Sequence, residues 1–299
     1  MKPRKILFSL LMLTLVLTSL TSLTAAAKPE KGKPQPSSIT KVSFYSAALK
    51  KNMKFNIYLP PGYSKSKTYP VLYMLHKYEE NEDHWFNKLG LGTKSDELIA
   101  KGKIEPMIIV TPNHDNSFGI NSAEVSKPWL EPPTVPTAMY EGRYEDYIAR
   151  DLVSYVDKHY STRATREFRY IGGASMGGYA ALHIAFRNPE LYSKVGGHAP
   201  ALWTDDYWDV IRDWMYPAAD DRIKRDPVQL ATIRPYNTLS IHIDAGGLDE
   251  YIKGTQALYD NLVKTGTKTA TLQIVPGGKH DEAYWSSQAE SYLLFYGGK

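Results

Sequence analysis

From residue 39 onward, short apolar runs alternate with stretches that have helical periodicity. Two strand-like runs, 42–48 and 54–59, come first, and a Pro-Pro-Gly sequence ends the second run. Six later runs have the length and apolar content of buried strands: 71–75, 107–111, 168–172, 194–198, 239–244 and 271–275. Short apolar strands that alternate with helices predict a largely parallel sheet covered by helices on both faces.

The clearest helical pattern covers residues 144–159, where apolar side chains recur at helical spacing. Further helices are predicted directly after residue 175, over 251–264 and over 282–295. In sheets of this kind the active site lies at the carboxyl ends of the strands. Candidate catalytic residues are therefore expected in the loops that follow the strands.

Residues 112–142 interrupt the alternation of strands and helices. They include five prolines, Trp129 and Tyr140, and they show no convincing periodicity. A loop of this length in a compact domain is usually functional or disordered. Its aromatic residues favour an ordered wall of a substrate-binding site.

The N-terminal region has a different composition. Lys2, Arg4 and Lys5 precede an apolar run, and three alanines end at residue 27. This order predicts a secretory signal peptide over 1–27, with a membrane anchor as the alternative. Residues 28–38 contain three prolines and no large apolar side chain, which indicates a flexible linker. The catalytic domain is then 39–299, and we expect a secreted, extracellular protein without stable membrane association after cleavage.

Composition excludes several classes of site. The chain has no cysteine, which rules out disulfides, zinc sites built on thiolates and a cysteine nucleophile. The formal charge of +4 falls to +1 once the three basic residues of 1–27 are removed, so neither nucleic acid nor an anionic membrane is a predicted partner. The histidines show no metal-ligand spacing, and neither a metal nor an organic cofactor is expected.

The run Gly173-Ala174-Ser175-Met176-Gly177 matches the pattern G-x-S-x-G. A predicted strand leads into it and a predicted helix over 176–186 leaves it, which is the context of a nucleophile elbow. The glycines at 173 and 177 permit a sharp turn and a close approach of strand and helix. Ser175 is therefore the predicted nucleophile.

A serine hydroxyl needs a base that is itself oriented by a carboxylate. In this class of fold the chain order is serine, acid, histidine. His280, in a glycine-rich loop after the last strand, is the predicted base, and His242 in the middle of a strand is the weaker choice. Asp249, on the loop after the preceding strand, is the predicted acid. Asp244 is its main rival and Glu250 a third candidate.

The tetrahedral intermediate needs backbone donors aimed at its oxyanion. The N–H of Met176, directly after the nucleophile, should supply one donor, and the loop 76–81 after the third strand should supply the other. His198 ends a strand close to the elbow and is expected to line the pocket.

These motifs resemble the esterase D-like family of α/β-hydrolases. The family includes feruloyl and acetylxylan esterases of carbohydrate esterase family 1, S-formylglutathione hydrolases and the antigen 85 mycolyltransferases. The resemblance spans about 41–295 and rests on 69–76 with Trp85, 173–178, 243–249, and 278–280 with Trp285. It implies the α/β-hydrolase fold, a triad of Ser175, Asp249 and His280, and an oxyanion hole formed by the N–H groups of Tyr78 and Met176.

One loop departs from the family pattern. The family usually has glycine after the histidine of the early loop and further glycines two or three positions on, whereas this chain has Lys77, Glu79 and Glu80. Because glycine reaches backbone conformations that are uncommon for lysine, the departure predicts an altered presentation of the Tyr78 N–H. Retained activity and a weak or inactive enzyme are both open, and the intact triad favours the first.

The predicted function is a secreted serine esterase that hydrolyses carboxylic esters through an acyl-enzyme. Acetyl or feruloyl esters of polysaccharides are the expected substrates, because secretion disfavours the S-formylglutathione hydrolase branch. One alternative is an acyltransferase in which a sugar hydroxyl replaces water, and another is a non-catalytic extracellular binding protein. Predicted substrate-binding residues are His76, Lys77, Trp129, Tyr140, His198 and Trp203.

Overall fold

A computed structural model describes residues 35–124, 127–128, 139–204 and 210–298. The predicted signal peptide, most of the linker and Trp129 lie outside these residues. The strands, in chain order, are β1 Ser38–Ser46, β2 Lys51–Leu59, β3 Val71–Leu75, β4 Ile108–Pro112, β5 Lys127–Pro128, β6 Tyr140–Glu141, β7 Arg169–Ser175, β8 Lys194–Pro200, β9 Ser240–Gly246 and β10 Ala270–Val275.

Eight of these strands form one sheet in the order β1-β2-β4-β3-β7-β8-β9-β10. From β4 to β10 all neighbours in the sheet are parallel, whereas β2 is antiparallel to β4 and β1 is antiparallel to β2. The mostly parallel sheet confirms the predicted α/β-hydrolase fold. Its parallel strands bring their carboxyl ends, and the loops that follow them, to one edge.

The helices are α1 Leu91–Ala100, α2 Tyr144–Asp146, α3 Val153–His159, α4 Met176–Arg187, α5 Val210–Met215, α6 Ala219–Arg225, α7 Pro227–Leu230, α8 Ile252–Lys264 and α9 Glu282–Gly297. A π-helical stretch, Tyr147–Leu152, joins α2 to α3, so the predicted helix over 144–159 is one helical segment. Helix α1 was not predicted, because its only large apolar residues are Leu91, Leu98 and Ile99, and a run of polar residues over 93–97 separates the first from the other two.

Both faces of the sheet are buried at its centre, as β3 illustrates. All five of its residues are buried, and they divide by alternation between two apolar clusters. Val71, Tyr73 and Leu75 pack in the cluster that includes α4, whereas Leu72 and Met74 pack in the cluster that includes α1 and α9. This double burial explains why the strand is apolar at every position.

The described part of the irregular region after β4 packs against the domain. Phe118 and Ile120 are buried in the same cluster as α4, and β5 pairs with β6. The region is therefore held by its own apolar residues next to the carboxyl ends of the strands. In the portion of the chain that is described, no helix is both long and apolar enough to span a membrane.

Candidate active site

Ser175 lies at the junction of β7 and α4. The strand ends at this residue, the helix begins at the next, and Ser175 has φ 53° and ψ −116°. A positive φ is uncommon for residues other than glycine. A Cβ atom on Gly173 would lie 2.4 Å from the Gly177 carbonyl group, and one on Gly177 would lie 2.3 Å from the Leu75 carbonyl oxygen. Glycine is therefore required on both sides of the turn that carries the serine hydroxyl.

His280 lies between the hydroxyl of Ser175 and the carboxylate of Asp249. Its Nε2 atom is 2.8 Å from Ser175 Oγ, and its Nδ1 atom is 3.0 Å from Asp249 Oδ2. A carboxylate can only accept, so Nδ1 carries the proton that it donates to Asp249. Nε2 then faces Ser175 as the acceptor, which is the tautomer that a general base for serine requires.

The Asp249 carboxylate is fixed by a contact at each oxygen. Oδ2 accepts from His280, while Oδ1 accepts from the backbone N–H of Tyr251 at 2.7 Å. The Asp249 N–H in turn donates to the carbonyl of Gly246, the last residue of β9, at 3.1 Å. The acid is thus held by the turn that links β9 to α8, and its buried side chain orients the imidazole.

A cavity of about 620 Å³ opens over Ser175 and His280. Its described lining comes from the loop after β3, the end of β7, the loop after β9 and the segment from His280 into the first turn of α9: Lys77, Tyr78, Ser175, Glu250, Tyr251, His280, Asp281, Glu282, Ala283 and Trp285. The rings of Tyr251 and Trp285 lie 4.9 and 5.1 Å from the His280 ring. The volume is in the usual range for small-molecule sites.

The loop after β3 is held by the buried ring of His76. Nε2 of His76 accepts from the N–H of His114 at 3.1 Å, so Nδ1 carries a proton and donates to the Lys77 carbonyl at 2.8 Å. The N–H of a trans peptide points away from its carbonyl. The N–H of Tyr78 therefore faces away from the His76 ring, and Tyr78 lines the same cavity as Ser175. Burial lowers the pKa of both His76 and His114, which keeps them neutral.

The unusual backbone in this loop is at Glu79 and not at Lys77. Glu79 has φ 64°, whereas Lys77 does not have a positive φ. The N–H of Glu79 donates to Asn116 Oδ1 at 2.9 Å. Of the three positions at which the loop departs from the family's glycines, the left-handed conformation therefore falls at Glu79 and not at Lys77, and the turn after Tyr78 is supported by a side chain from the region after β4.

The Esterase family model matches residues 46–294. The chain belongs to the Esterase family. This match confirms the resemblance derived from the motifs around Ser175 and His280.

Relatives of this Esterase family chain include carbohydrate-active enzymes. An endo-1,4-beta-xylanase/feruloyl esterase of Xylanibacter ruminicola is 33% identical over 166 residues, which are 53% of this chain and 21% of the relative. The chain therefore matches only about a fifth of the length of that protein.

Solved structures support the fold. A ferulic acid esterase has a TM-score of 0.73 at 22% identity, with 88% of this chain and 98% of that chain covered. An S-formylglutathione hydrolase from Agrobacterium tumefaciens has a TM-score of 0.65 at 21% identity, with 86% and 94% covered. At this level of identity the similarity concerns the fold alone.

His198, expected at the substrate, belongs instead to a buried network. Its Nδ1 is 2.7 Å from Asp244 Oδ2, and its Nε2 is 3.0 Å from the Tyr296 hydroxyl. Asp244 Oδ1 also accepts from the hydroxyls of Tyr284 and Tyr292 at 2.7 and 3.0 Å. The prediction for His198 is corrected, because both ring nitrogens are engaged inside the protein. Asp244, the rival for the acid, faces this network and not His280.

The other predicted substrate-binding residues divide between the cavity and the core. Lys77 lines the cavity, whereas His76 supports the loop from behind. Trp203 is 3% exposed and packs against Phe118 and Tyr251 with ring centroids 5.6 and 5.7 Å away. The structure thus places Trp203 in the core beneath the site. Half-buried Tyr140 lies on β6, where its N–H donates to the Asn116 carbonyl at 3.1 Å.

Two contacts of the site were not predicted. Tyr251 supplies the N–H that fixes Asp249, and His114 supplies the N–H that orients His76. The position of His114 two residues after β4 was the available signal, since the carboxyl ends of the strands are the functional edge of such sheets. Among the described residues no group of three or more His, Cys, Asp or Glu side chains could hold a metal ion.

Proposed function

We propose that this protein is a serine esterase that hydrolyses carboxylic esters. The observation that carries the proposal is the continuous contact from Ser175 Oγ through His280 to Asp249 at the base of an open cavity. His280 takes the proton of Ser175 while the serine oxygen attacks the ester carbonyl. The alcohol leaves with that proton, and a water activated by the same imidazole then releases the acid from the acyl-enzyme.

The developing oxyanion is stabilised by two backbone N–H groups. Met176 begins α4, so its N–H belongs to the first turn of a helix, where backbone donors lack intrahelical partners. The Tyr78 N–H is directed by the fixed Lys77 carbonyl on the opposite side of its peptide. Removal of one such donor typically lowers turnover on the order of 10²–10³-fold.

The proposed substrates are acetyl or feruloyl esters of plant polysaccharides. The name of the Xylanibacter ruminicola relative, which pairs a xylanase with a feruloyl esterase, supports this substrate class. The ring of half-buried Tyr251, 4.9 Å from that of His280, offers an apolar face on which a sugar or a phenolic acid could pack, and buried Trp285 supports His280 from within the protein. Because such polymers lie outside the cell, secretion through residues 1–27 forms part of the proposal.

The first test compares the wild-type protein with the Ser175→Ala variant. The wild type should hydrolyse p-nitrophenyl acetate and should be labelled by a fluorophosphonate probe, whereas the variant should do neither. Equal rates for the two proteins would refute the proposal. Acetylated xylan and a feruloylated oligosaccharide would then identify the acyl group, and product analysis with an added carbohydrate acceptor would separate hydrolysis from acyl transfer.

A further inference from the structure

Four charged side chains connect the loop that carries Tyr78 to the start of α9. Glu80 Oε1 is 2.5 Å from Lys88 Nζ and 3.6 Å from Lys77 Nζ. Glu282 Oε1 is 3.8 Å from Lys77 Nζ and 3.9 Å from Lys88 Nζ. Each lysine thus contacts both glutamates, and the four-charge cluster of Lys77, Glu80, Lys88 and Glu282 is neutral as a whole.

The cluster joins the two sides of the cavity. Lys77 directly precedes Tyr78 on one side, and Glu282 follows His280 by two residues on the other. Both members of each of these two sequence pairs line the cavity. The side chain of Glu80 is only 10% exposed, so its contacts with the two lysines are partly shielded from solvent. Partly buried charge pairs are screened by salt less than fully exposed ones.

The loop needs such support because of its backbone. Glu79 has φ 64°, which is unfavourable for a residue with a side chain. Its neighbour Glu80 forms the shortest ion pair of the cluster, with Lys88. This ion pair therefore holds the chain at the residue directly after the strained position. The hydrogen bond from the Glu79 N–H to Asn116 holds the same turn from the other side.

We infer that the four-charge cluster sets the distance between the Tyr78 N–H and His280, and that Glu282 is a positioning residue for the oxyanion hole. The inference rests on the oxyanion role proposed for Tyr78. Glu282 acts through Lys77 and the loop, and so it influences the turnover of an uncharged ester more than its binding.

The test compares Glu282→Gln with Glu290→Gln. Both glutamates lie on α9 with side chains that are 43% exposed, and each contacts a lysine, but Glu290 pairs with Lys103 away from the cavity. With p-nitrophenyl acetate, Glu282→Gln should lower kcat roughly tenfold, since small displacements of catalytic groups are costly. KM should change by less than about twofold. Glu290→Gln should behave like the wild type.

Salt provides a second comparison. The Debye length falls from about 30 Å at 0.01 M to about 3 Å at 1 M ionic strength, so high salt weakens the exposed pairs of Glu282 with the two lysines more than the shielded pairs of Glu80. The kcat of the wild type and of Glu290→Gln should fall toward the value for Glu282→Gln as salt is raised. The kcat of Glu282→Gln should respond less.

Hydrogen exchange gives a measurement that does not depend on catalysis. The amides of residues 77–80 should exchange faster in Glu282→Gln than in the wild type or in Glu290→Gln. If the wild type proves to hydrolyse no ester, the proposed function fails, and the exchange rates still decide whether the cluster holds the loop.

Equal exchange in the two variants overturns the inference. A change in KM alone, or faster exchange with unchanged kcat, also overturns it, because Glu282 would then contact substrate or only stabilise the loop.

Discussion

Two Asp–His pairs lie near the carboxyl ends of neighbouring strands, and they differ in what the second ring nitrogen contacts. Asp249 Oδ2 is 3.0 Å from His280 Nδ1, and the other ring nitrogen, Nε2, is 2.8 Å from Ser175 Oγ. Asp244 Oδ2 is 2.7 Å from His198 Nδ1, and His198 Nε2 is 3.0 Å from the Tyr296 hydroxyl. The pairs are alike in chemistry, yet only one faces a hydroxyl that can act as a nucleophile.

The surroundings of the two pairs reinforce the difference. The His280 side chain is 15% exposed and borders the cavity, whereas His198 is fully buried and stacks on Tyr292 at 3.6 Å. Burial, followed by the neighbouring Asp244 carboxylate, raises the pKa of Tyr284 and Tyr292, so both remain hydrogen-bond donors. An Asp–His pair is therefore suited to base catalysis only where substrate can reach it.

Trp285 connects the two pairs. Its indole N–H donates to the backbone carbonyl of His198 at 3.1 Å, and its ring lies 5.1 Å from that of His280. Tyr284, the preceding residue, donates to Asp244. The first turn of α9, which follows His280 directly, is thus anchored on the buried pair. The buried pair stabilises the segment that carries the proposed base.

The largest expected effect separates the two histidines. His280→Ala should lower kcat by roughly 10⁵-fold, because the serine loses its base, while the midpoint of thermal unfolding changes little. His198→Ala should instead cost about 1.5–3 kcal/mol of folding stability, because the buried Asp244 carboxylate loses its imidazole donor and keeps only the hydroxyls of Tyr284 and Tyr292. Kinetics and chemical denaturation of both variants measure this contrast. A His198→Ala protein that is stable but inactive would mean that the two roles are exchanged.

The next effect separates the two aspartates. Asp249→Asn should lower kcat on the order of 10⁴-fold, since an amide allows the wrong His280 tautomer. Asp244→Asn should retain most of its turnover and lose stability, because the amide accepts fewer hydrogen bonds than the carboxylate. Steady-state kinetics on p-nitrophenyl acetate and urea unfolding distinguish the pair. Comparable losses of kcat in the two variants would contradict the assignment of Asp249.

A third histidine extends the comparison to pH. His84 is fully buried, and neither of its ring nitrogens has a hydrogen-bond partner among the described residues. Burial lowers the pKa of His84 from 6.5 to about 3. The unfolded chain therefore binds a proton that the folded protein does not bind, and stability falls as the pH drops below 6.5, by about 2 kcal/mol at pH 5.

Unfolding measured from pH 7 to pH 4 tests this linkage. The wild type should lose stability more steeply than His84→Leu over that range. His159, which is exposed, supplies the control variant His159→Leu, and its curve should follow that of the wild type. Parallel curves for the wild type and His84→Leu would show that the ring of His84 does not contribute to the pH dependence of folding stability.

The smallest effect concerns the donors to the buried carboxylate. Tyr284→Phe removes one hydrogen bond to Asp244 and should cost about 1.5 kcal/mol of stability. Its kcat should fall more than that of Tyr292→Phe, which removes a similar hydrogen bond farther along α9 from His280. Unfolding and kinetics of the two variants give the comparison. A larger loss of kcat in Tyr292→Phe would show that the first turn of α9 is not anchored through Tyr284.

Local patterns were sufficient for much of the fold. The predicted strand over 71–75 has the observed bounds, and helices occur where periodicity placed them after Ser175 and over 282–295. These elements depend on the order of apolar residues along a short stretch of chain. The helices within 210–230 were not predicted, because they are only 4 to 7 residues long, which is too short for helical periodicity to show in the sequence.

The sequence by itself determined the position of the elbow, because the sharp turn at Ser175 needs glycines at 173 and 177, and both requirements lie within five residues. It could not decide what His198, His76 and Glu79 do. Those roles depend on partners that are distant in the chain, such as Tyr296 for His198 and Asn116 for Glu79. Only the tertiary structure determined which aspartate meets which histidine, because a hydrogen bond depends on distance and direction in space and not on separation along the sequence.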